Sequence, residues 1–177
     1  MKVNIGKYPS WNRFAAWIGY EPKQKVKVHI DTWDTWSMDE TLAHIIHPML
    51  IQLRDNNHGV GWVDQRDVPK KLRWSKAEAV AYEKNGDLDK NYQVRWIWIM
   101  NEMIFAFQAK ITEEDNSFGS GDWDVSFEDT GRGDGTSEMK YGPKHTYEID
   151  TNAYTEHHTR VSNGFKLFGK YYENLWD

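Results

Sequence analysis

The residues from about Asn91 to Lys110 constrain the fold more than any other segment of the chain. Apolar side chains recur there at helical spacing and cover most of the circumference of the helix that they predict. They are Trp96, Met100, Met103 and Phe107 along one stripe and Ile97, Ile99, Ile104 and Phe105 around the rest. A helix that is apolar on nearly all sides is normally surrounded by protein. The sequence therefore predicts a central helix around which the other elements pack.

A second long helix is predicted over residues 37–53. Ser37 and Glu40 have the spacing of a capping box, in which each residue satisfies a backbone N–H of the other at a helix start. Apolar residues then repeat every three or four positions and form one core-facing stripe. Pro48 lies inside this helix, and its ring clashes with the carbonyl four residues back, so a kink is expected near His44.

A third long helix is predicted over residues 152–175 near the end of the chain. Its core stripe consists of Val161, Phe165, Phe168, Tyr172 and Leu175. A short exposed helix is expected from Ser75 to Glu83, before Asn85 and Gly86 end it.

Strict alternation of apolar and polar residues predicts the strands. Val26, Val28 and Ile30 share one face of such a segment, and Trp123, Val125 and Phe127 share one face of another. Three glycines between residues 130 and 136 supply a turn, which favours an antiparallel hairpin. The predicted strands lie near residues 2–5, 25–31, 122–128 and 143–150.

Together these elements predict an α+β fold, with three main helices packed on a small antiparallel sheet in a single domain over residues 1–177. Residues 54–90 carry weaker signals and are interpreted as a surface excursion. Residues 112–142 are interpreted as an acidic, Gly-rich hairpin region.

The composition excludes several classes of site. The chain has no cysteine, which excludes disulfides, thiolate metal sites and thiol nucleophiles and favours a reducing cytoplasm. It has no signal-peptide pattern and no apolar run long enough to span a membrane, so a soluble protein without a membrane partner is expected. The net charge of -5 argues against sequence-blind binding to nucleic acid, but it allows one phosphate in a local pocket. No sequence-specific nucleic acid partner is expected.

Charged residues on the predicted central helix mark a candidate site. Arg95, Trp98 and Glu102 are spaced by three and four, so they share one face. One interpretation is structural: Arg95 pairs with Glu102 or with a neighbouring helix, and Trp98 packs over the pair. The other is a ligand pocket, in which Arg95 binds a phosphate or carboxylate and Trp98 stacks on a ring. The sequence leaves both open.

Three polar residues of the last helix could extend such a pocket. Arg160, Asn163 and Lys170 share a polar face there, although a charged face on a terminal helix is commonly just exposed. Trp36 adds a further aromatic side chain for stacking, from a tryptophan-rich segment that precedes the first long helix. These four residues complete the predicted ligand-binding set.

A metal site is a weaker hypothesis. Glu40, His44 and His47 share a helix face and could hold Zn²⁺ or another divalent ion with one position open for water. However, the HExxH pattern of metalloproteases is absent, and histidines on a polar helix face are mostly solvated. The expectation is therefore no cofactor. No other catalytic motif is recognisable, so no catalytic residue is assigned.

Four blocks of the chain carry a family resemblance. Residues 33–53, 67–72, 95–107 and 160–176 resemble a family of small proteins encoded by tailed bacteriophages, for which no activity is assigned. The resemblance covers about half of the chain. It implies a phage protein that acts in the bacterial cytoplasm or within the virion. Family members have Asp at the position of Asn101 and frequently lack His44 and His47, which weakens the metal hypothesis.

Three functional hypotheses follow. The first is that the protein binds a small anionic nucleotide, a host immune signal, and blocks host defence by sequestering it, with a homo-oligomer closing the pocket. The second is metal-assisted phosphoester hydrolysis through Glu40, His44, His47 and Arg95. The third is a virion or assembly component, in which the terminal aromatic residues Tyr171, Tyr172 and Trp176 contact a partner subunit.

Overall fold

The computed structural model of the protein describes residues 1–6, 24–56, 58–112 and 118–176. The chain divides into two compact units, Met1–Leu42 and Ala43–Asp177. The division falls within a helix that continues across it. The single domain over residues 1–177 stays a prediction.

Four α-helices lie in the described part of the chain. They are α1 (Met38–Asp55), α2 (Lys76–Asn85), α3 (Tyr92–Thr112) and α4 (Thr151–Lys170). Short 3-10 turns lie at Thr32–Thr35, Gln65–Asp67, Lys70–Leu72 and Tyr172–Asn174. The α+β class is confirmed, and α2, the short helix of the sequence interpretation, brings the number of helices to four rather than three. No helix in the described part of the chain is both long and apolar enough to cross a lipid bilayer.

The described strands form three separate antiparallel pairs, so the prediction of one small sheet is wrong. The pairs are β1 (Lys2–Ile5) with β2 (Val26–His29), β3 (Gly119–Ser120) with β6 (Glu148–Ile149), and β4 (Val125–Asp129) with β5 (Ser137–Tyr141).

The partner of β4 also differs from the sequence prediction, in which the next strand after the glycine turn lay near residues 143–150. The reason is a tighter turn after β4. The amide of Thr130 donates to the carbonyl of Thr136 at 3.1 Å, and the two hydroxyls lie 2.8 Å apart. Gly131, Gly133 and Gly135 all have positive φ between these threonines, a conformation that glycine adopts without steric cost. The turn therefore brings Ser137 opposite Asp129.

Helix α3 is the centre of the hydrophobic core, as the sequence predicts. Trp96, Ile99, Met100 and Met103 are almost completely buried. Leu50 from α1 and Leu167 from α4 belong to the same cluster. Helix α4 runs close against α3 at Gly164, where an added Cβ atom would lie 2.4 Å from the carbonyl oxygen of Glu102. Only a residue without a side chain allows this approach.

The segment interpreted as a surface excursion contributes to the interior. Val63 and Val68 are in the core, at 5% and 2% exposure, and Asp64 is buried beside them. The hydroxyl of Tyr171 accepts a hydrogen bond from the amide of Asp64 at 3.0 Å and donates to Asp67 at 2.6 Å. Burial raises the pKa of this hydroxyl, and so does its hydrogen bond to Asp67, so it stays protonated as a donor.

We expect Gly164→Ala to destabilise the protein by about 1–3 kcal/mol, because the new methyl group would overlap α3. Gly169→Ala is the matched control, since Gly169 lies in the same helix and has no heavy atom within 4 Å of an added Cβ. Alanine is the better helix former, so this control should be neutral or stabilising by about 0.5–1 kcal/mol. Urea denaturation measures the free energy of unfolding of both variants. Equal changes from the wild-type value would contradict the close approach of α3 and α4.

Candidate functional site

A buried ion pair lies at the start of α3. The guanidinium of Arg95 donates from Nη1 to Asp89 Oδ1 at 2.9 Å and from Nη2 to Asp89 Oδ2. Nη1 also donates to the carbonyl oxygen of Leu72 at 2.9 Å. The side chains of Arg95 and Asp89 are 3% and 4% exposed. The pair therefore joins the loop before α3 to the turn that ends at Leu72.

Two further donors fix the carboxylate of Asp89. The backbone N–H of Asn91 donates to Oδ1 at 2.8 Å, and the indole N–H of Trp74 donates to Oδ2 at 2.5 Å. Burial alone would raise the pKa of Asp89, but the hydrogen bonds from Arg95, Asn91 and Trp74 together lower it. Asp89 is therefore held as a charged group inside the protein.

An aromatic cavity of about 180 Å³ has Arg95 of this ion pair in its lining. Its lining includes residues 60–63 and the side chains of Trp74, Tyr82, Leu88, Tyr92 and Arg95. The rings of Trp74 and Tyr82 lie 5.0 Å apart at an angle of 37°, and the guanidinium carbon of Arg95 lies 5.5 Å from the Trp74 ring. We call this the aromatic cavity.

Several groups in the aromatic cavity are open to a ligand. Trp62 and Leu88 are each 61% exposed, although both are large apolar side chains. The hydroxyl groups of Tyr82 and Tyr92 have no hydrogen-bond partner within the described residues. Flat apolar surface and unused hydroxyl groups therefore lie together, which is the usual chemistry of a small-molecule site.

The residues predicted from sequence are not gathered at this cavity. Arg95 lines it, but its charge is already paired with Asp89. Trp98 is partly buried against the hydrophobic core and is outside the cavity lining. Trp36 belongs to the unit Met1–Leu42, where it is 83% exposed beside Trp33.

The other charged residues of the predicted site have structural partners of their own. Glu102 is buried and accepts two hydrogen bonds from Arg160, at 2.9 and 2.8 Å. The guanidinium of Arg160 also lies over the ring of Phe105 at 3.7 Å. Lys170 donates to Asp67 at 2.5 Å and to Asp64 at 3.2 Å. Asn163 is exposed and lines an open groove along α4 with Arg160.

These contacts give Arg95 a partner that neither interpretation from sequence named. Arg95 is in a structural ion pair, but its partner is Asp89 rather than Glu102 or a neighbouring helix. Glu102 pairs instead with Arg160 across the α3–α4 contact. The two buried charges of α3 are thus neutralised by different elements.

The metal hypothesis gains no support from side-chain geometry. Within the described residues, no three His, Cys, Asp or Glu side chains are grouped so that they could hold a metal ion. The set Glu40, His44 and His47 therefore stays a prediction from spacing alone.

Sequence reasoning missed most of the cavity residues. Trp62, Trp74 and Leu88 lie outside the helices, where no periodicity marks them. Tyr82 and Tyr92 lie on α2 and at the start of α3, and neither belongs to a predicted stripe. The available signal was the pair of tryptophans, Trp62 and Trp74, in a segment otherwise rich in charge.

We expect Asp89→Asn to destabilise the protein by about 3–5 kcal/mol at neutral pH, because it leaves Arg95 buried without a counter-charge. The folded state lowers the pKa of Asp89, so the charged carboxylate stabilises the native protein above the unfolded value of about 4 and loses that contribution as pH falls. The difference in the free energy of unfolding between wild type and variant should therefore become smaller below about pH 4.

Urea denaturation over a series of pH values measures this difference. Asp87→Asn is the control, since Asp87 is exposed in the same loop and should change stability little. A difference that stays constant from neutral to acid pH would contradict the role assigned to the Asp89 charge.

Comparison of the chain with protein-family models, curated proteins and solved structures gave no match.

Proposed function

We propose that this protein binds a small anionic nucleotide, with the base in the aromatic cavity, and sequesters it. The observation that carries the proposal is the cavity itself. Trp62, Trp74, Tyr82 and Tyr92 line it together with Arg95, which the buried pair with Asp89 holds in place. Nucleobases stack on aromatic side chains regardless of base identity, and each stack contributes about 1–3 kcal/mol.

The size of the cavity supports a base rather than a whole nucleotide as its content. Sites that enclose a complete drug-sized ligand have volumes of about 300–1,000 Å³, whereas this cavity has about 180 Å³. The planar ring of a ligand would fit inside, and its sugar and phosphate would remain at the mouth. The hydroxyl groups of Tyr82 and Tyr92 would then hydrogen-bond to the base or the sugar.

Arg95 acts differently in this proposal from its role in the sequence hypothesis. Its guanidinium is buried and its charge is paired with Asp89, so the proposal assigns it no contact with a phosphate. It lines the cavity and lies near the Trp74 ring, which stacks on the ligand. Arg160 and Lys170 are likewise engaged by carboxylates and have no assigned contact with the ligand.

The biological role in the proposal comes from the family resemblance. A phage-encoded protein that holds a nucleotide without converting it would act in the host cytoplasm and withdraw a host immune signal from its receptor. Sequestration requires binding and no catalysis, and the ligand should be recoverable intact. A shortened ligand after incubation would instead favour the phosphoester hydrolase hypothesis.

Trp62→Ala should lower the affinity for the best nucleotide about 5- to 150-fold, the equivalent of one lost stack. Isothermal titration calorimetry against a panel of mononucleotides, cyclic nucleotides and ADP-ribose measures it. Trp123→Ala is the matched control, because Trp123 has nearly the same exposure, 58% against 61%, and lies outside the cavity. No binding across the panel, or equal affinity in both variants, refutes the proposal.

Tyr92→Phe should lower affinity about 2- to 12-fold, because it removes one hydrogen bond to the ligand and leaves the ring in place. Stability should be unaffected, since the hydroxyl of Tyr92 has no partner within the described residues. Tyr141→Phe, at an exposed tyrosine of the hairpin, is the control. Calorimetry with the same nucleotide compares the three proteins, and an unchanged affinity for Tyr92→Phe would remove that hydrogen bond from the site.

A further inference from the structure

The chain is acidic overall, but one segment is strongly basic. Residues 66–76 contain five Lys or Arg residues and a single acidic residue, Asp67, although the net charge of the whole chain is -5. We call this segment the basic turn. Its cationic side chains, Arg66, Lys70, Lys71, Arg73 and Lys76, are all exposed.

The backbone of the basic turn is well defined. It includes the end of the 3-10 turn Gln65–Asp67 and all of the turn Lys70–Leu72. Arg73 closes the segment on itself, since its guanidinium donates to the carbonyl oxygens of Val68 at 3.0 Å and Arg66 at 3.3 Å. The positive charges are therefore displayed on a fixed loop.

The lysines of the basic turn are not neutralised by the protein. Asp67, the one acidic residue of the segment, is bound to Lys170 and to the hydroxyl of Tyr171. Among the described residues, no carboxylate forms an ion pair with Lys70, Lys71 or Lys76. These ammonium groups can therefore bind an anion without giving up an existing ion pair.

The basic turn is joined to the aromatic cavity at two points. The carbonyl oxygen of Leu72 accepts the hydrogen bond from Arg95, and Trp74 contributes its ring to the cavity lining. The backbone N–H of Trp74 is held by Gln65 at 2.9 Å, and its indole N–H is held by Asp89. The lysines thus flank a cavity residue along the chain, with Lys71 three residues before Trp74 and Lys76 two residues after it.

We propose that the basic turn binds the phosphate groups of the nucleotide, with Lys70, Lys71 and Lys76 as the contacts, and that the ligand is a nucleotide with two or more phosphates. This inference rests on the proposed function, since it places the phosphates relative to a base held in the aromatic cavity. Several free ammonium groups on one loop match the charge of a di- or triphosphate better than that of a monophosphate.

The test compares a nucleoside with its mono-, di- and triphosphate, using the base that binds best in the panel. Calorimetry at low salt should show affinity rising about tenfold or more from the nucleoside to the diphosphate, and this gain should shrink as salt is added. Equal affinity for nucleoside and diphosphate overturns the inference and leaves base binding in the cavity intact.

The triple variant Lys70→Gln, Lys71→Gln, Lys76→Gln assigns the contacts. It should lose about tenfold or more in affinity for the diphosphate and keep the affinity for the nucleoside. Lys166→Gln, at an exposed lysine of α4, is the matched control. It should change neither the affinity for the diphosphate nor the affinity for the nucleoside. A triple variant that behaves like Lys166→Gln, or that weakens nucleoside and diphosphate equally, overturns the inference. A thermal melt confirms that the variants are folded.

Two probes separate failure of this inference from failure of the proposed function. Inorganic triphosphate that binds to the wild type and not to the triple variant supports an anion site on the basic turn, even where no nucleoside binds and the proposed function fails. A series of oligothymidylates tests the ligand size. Affinity that keeps rising with oligonucleotide length overturns the assignment to a small nucleotide.

Discussion

The buried ion pair between Arg95 and Asp89 holds together the part of the protein on which its proposed function depends. Moving two charges out of water is costly, and such a pair is tolerated only when its hydrogen bonds are satisfied. Asp89 accepts four hydrogen bonds, two from Arg95 and one each from Asn91 and Trp74. These contacts tie the start of α3 to the turn before α2. Arg95 and Trp74 of this junction also line the aromatic cavity.

The same rule explains how a helix as apolar as α3 carries charge. Each of its buried charges is paired with a residue from a different element: Arg95 with the preceding loop and Glu102 with Arg160 of α4. The second pair needs α3 and α4 in close contact, which Gly164 allows. The polar residues of α3 therefore specify which elements pack around it, while its apolar residues supply the stabilising area.

The sequence predicts the elements better than their partners, for a physical reason. Periodicity shows which face of a segment is buried, and it found α3, α4 and the β1–β2 strands. It does not show what lies opposite that face. The contact of Tyr171 with Asp64 joins residues more than one hundred positions apart, and nothing local encodes it. The aromatic cavity was missed for the same reason, since Trp62 and Trp74 lie in irregular segments. The partner of Arg95 was also missed, because Arg95 pairs with Asp89 rather than with Glu102.

Several arginines of this protein are in structural ion pairs, whereas the proposed phosphate contacts are lysines. The planar guanidinium groups of Arg66, Arg95 and Arg160 make multiple hydrogen bonds to carboxylates, a geometry that only arginine offers. The lysines of the basic turn make no such contacts. Since exposed charges are screened over about 8 Å at physiological salt, an anion at the basic turn would respond more to these ammonium groups than to the net charge of -5. An acidic protein can thus present a basic site, because Lys70, Lys71 and Lys76 have no carboxylate partner among the described residues, whereas Arg95 and Arg160 do.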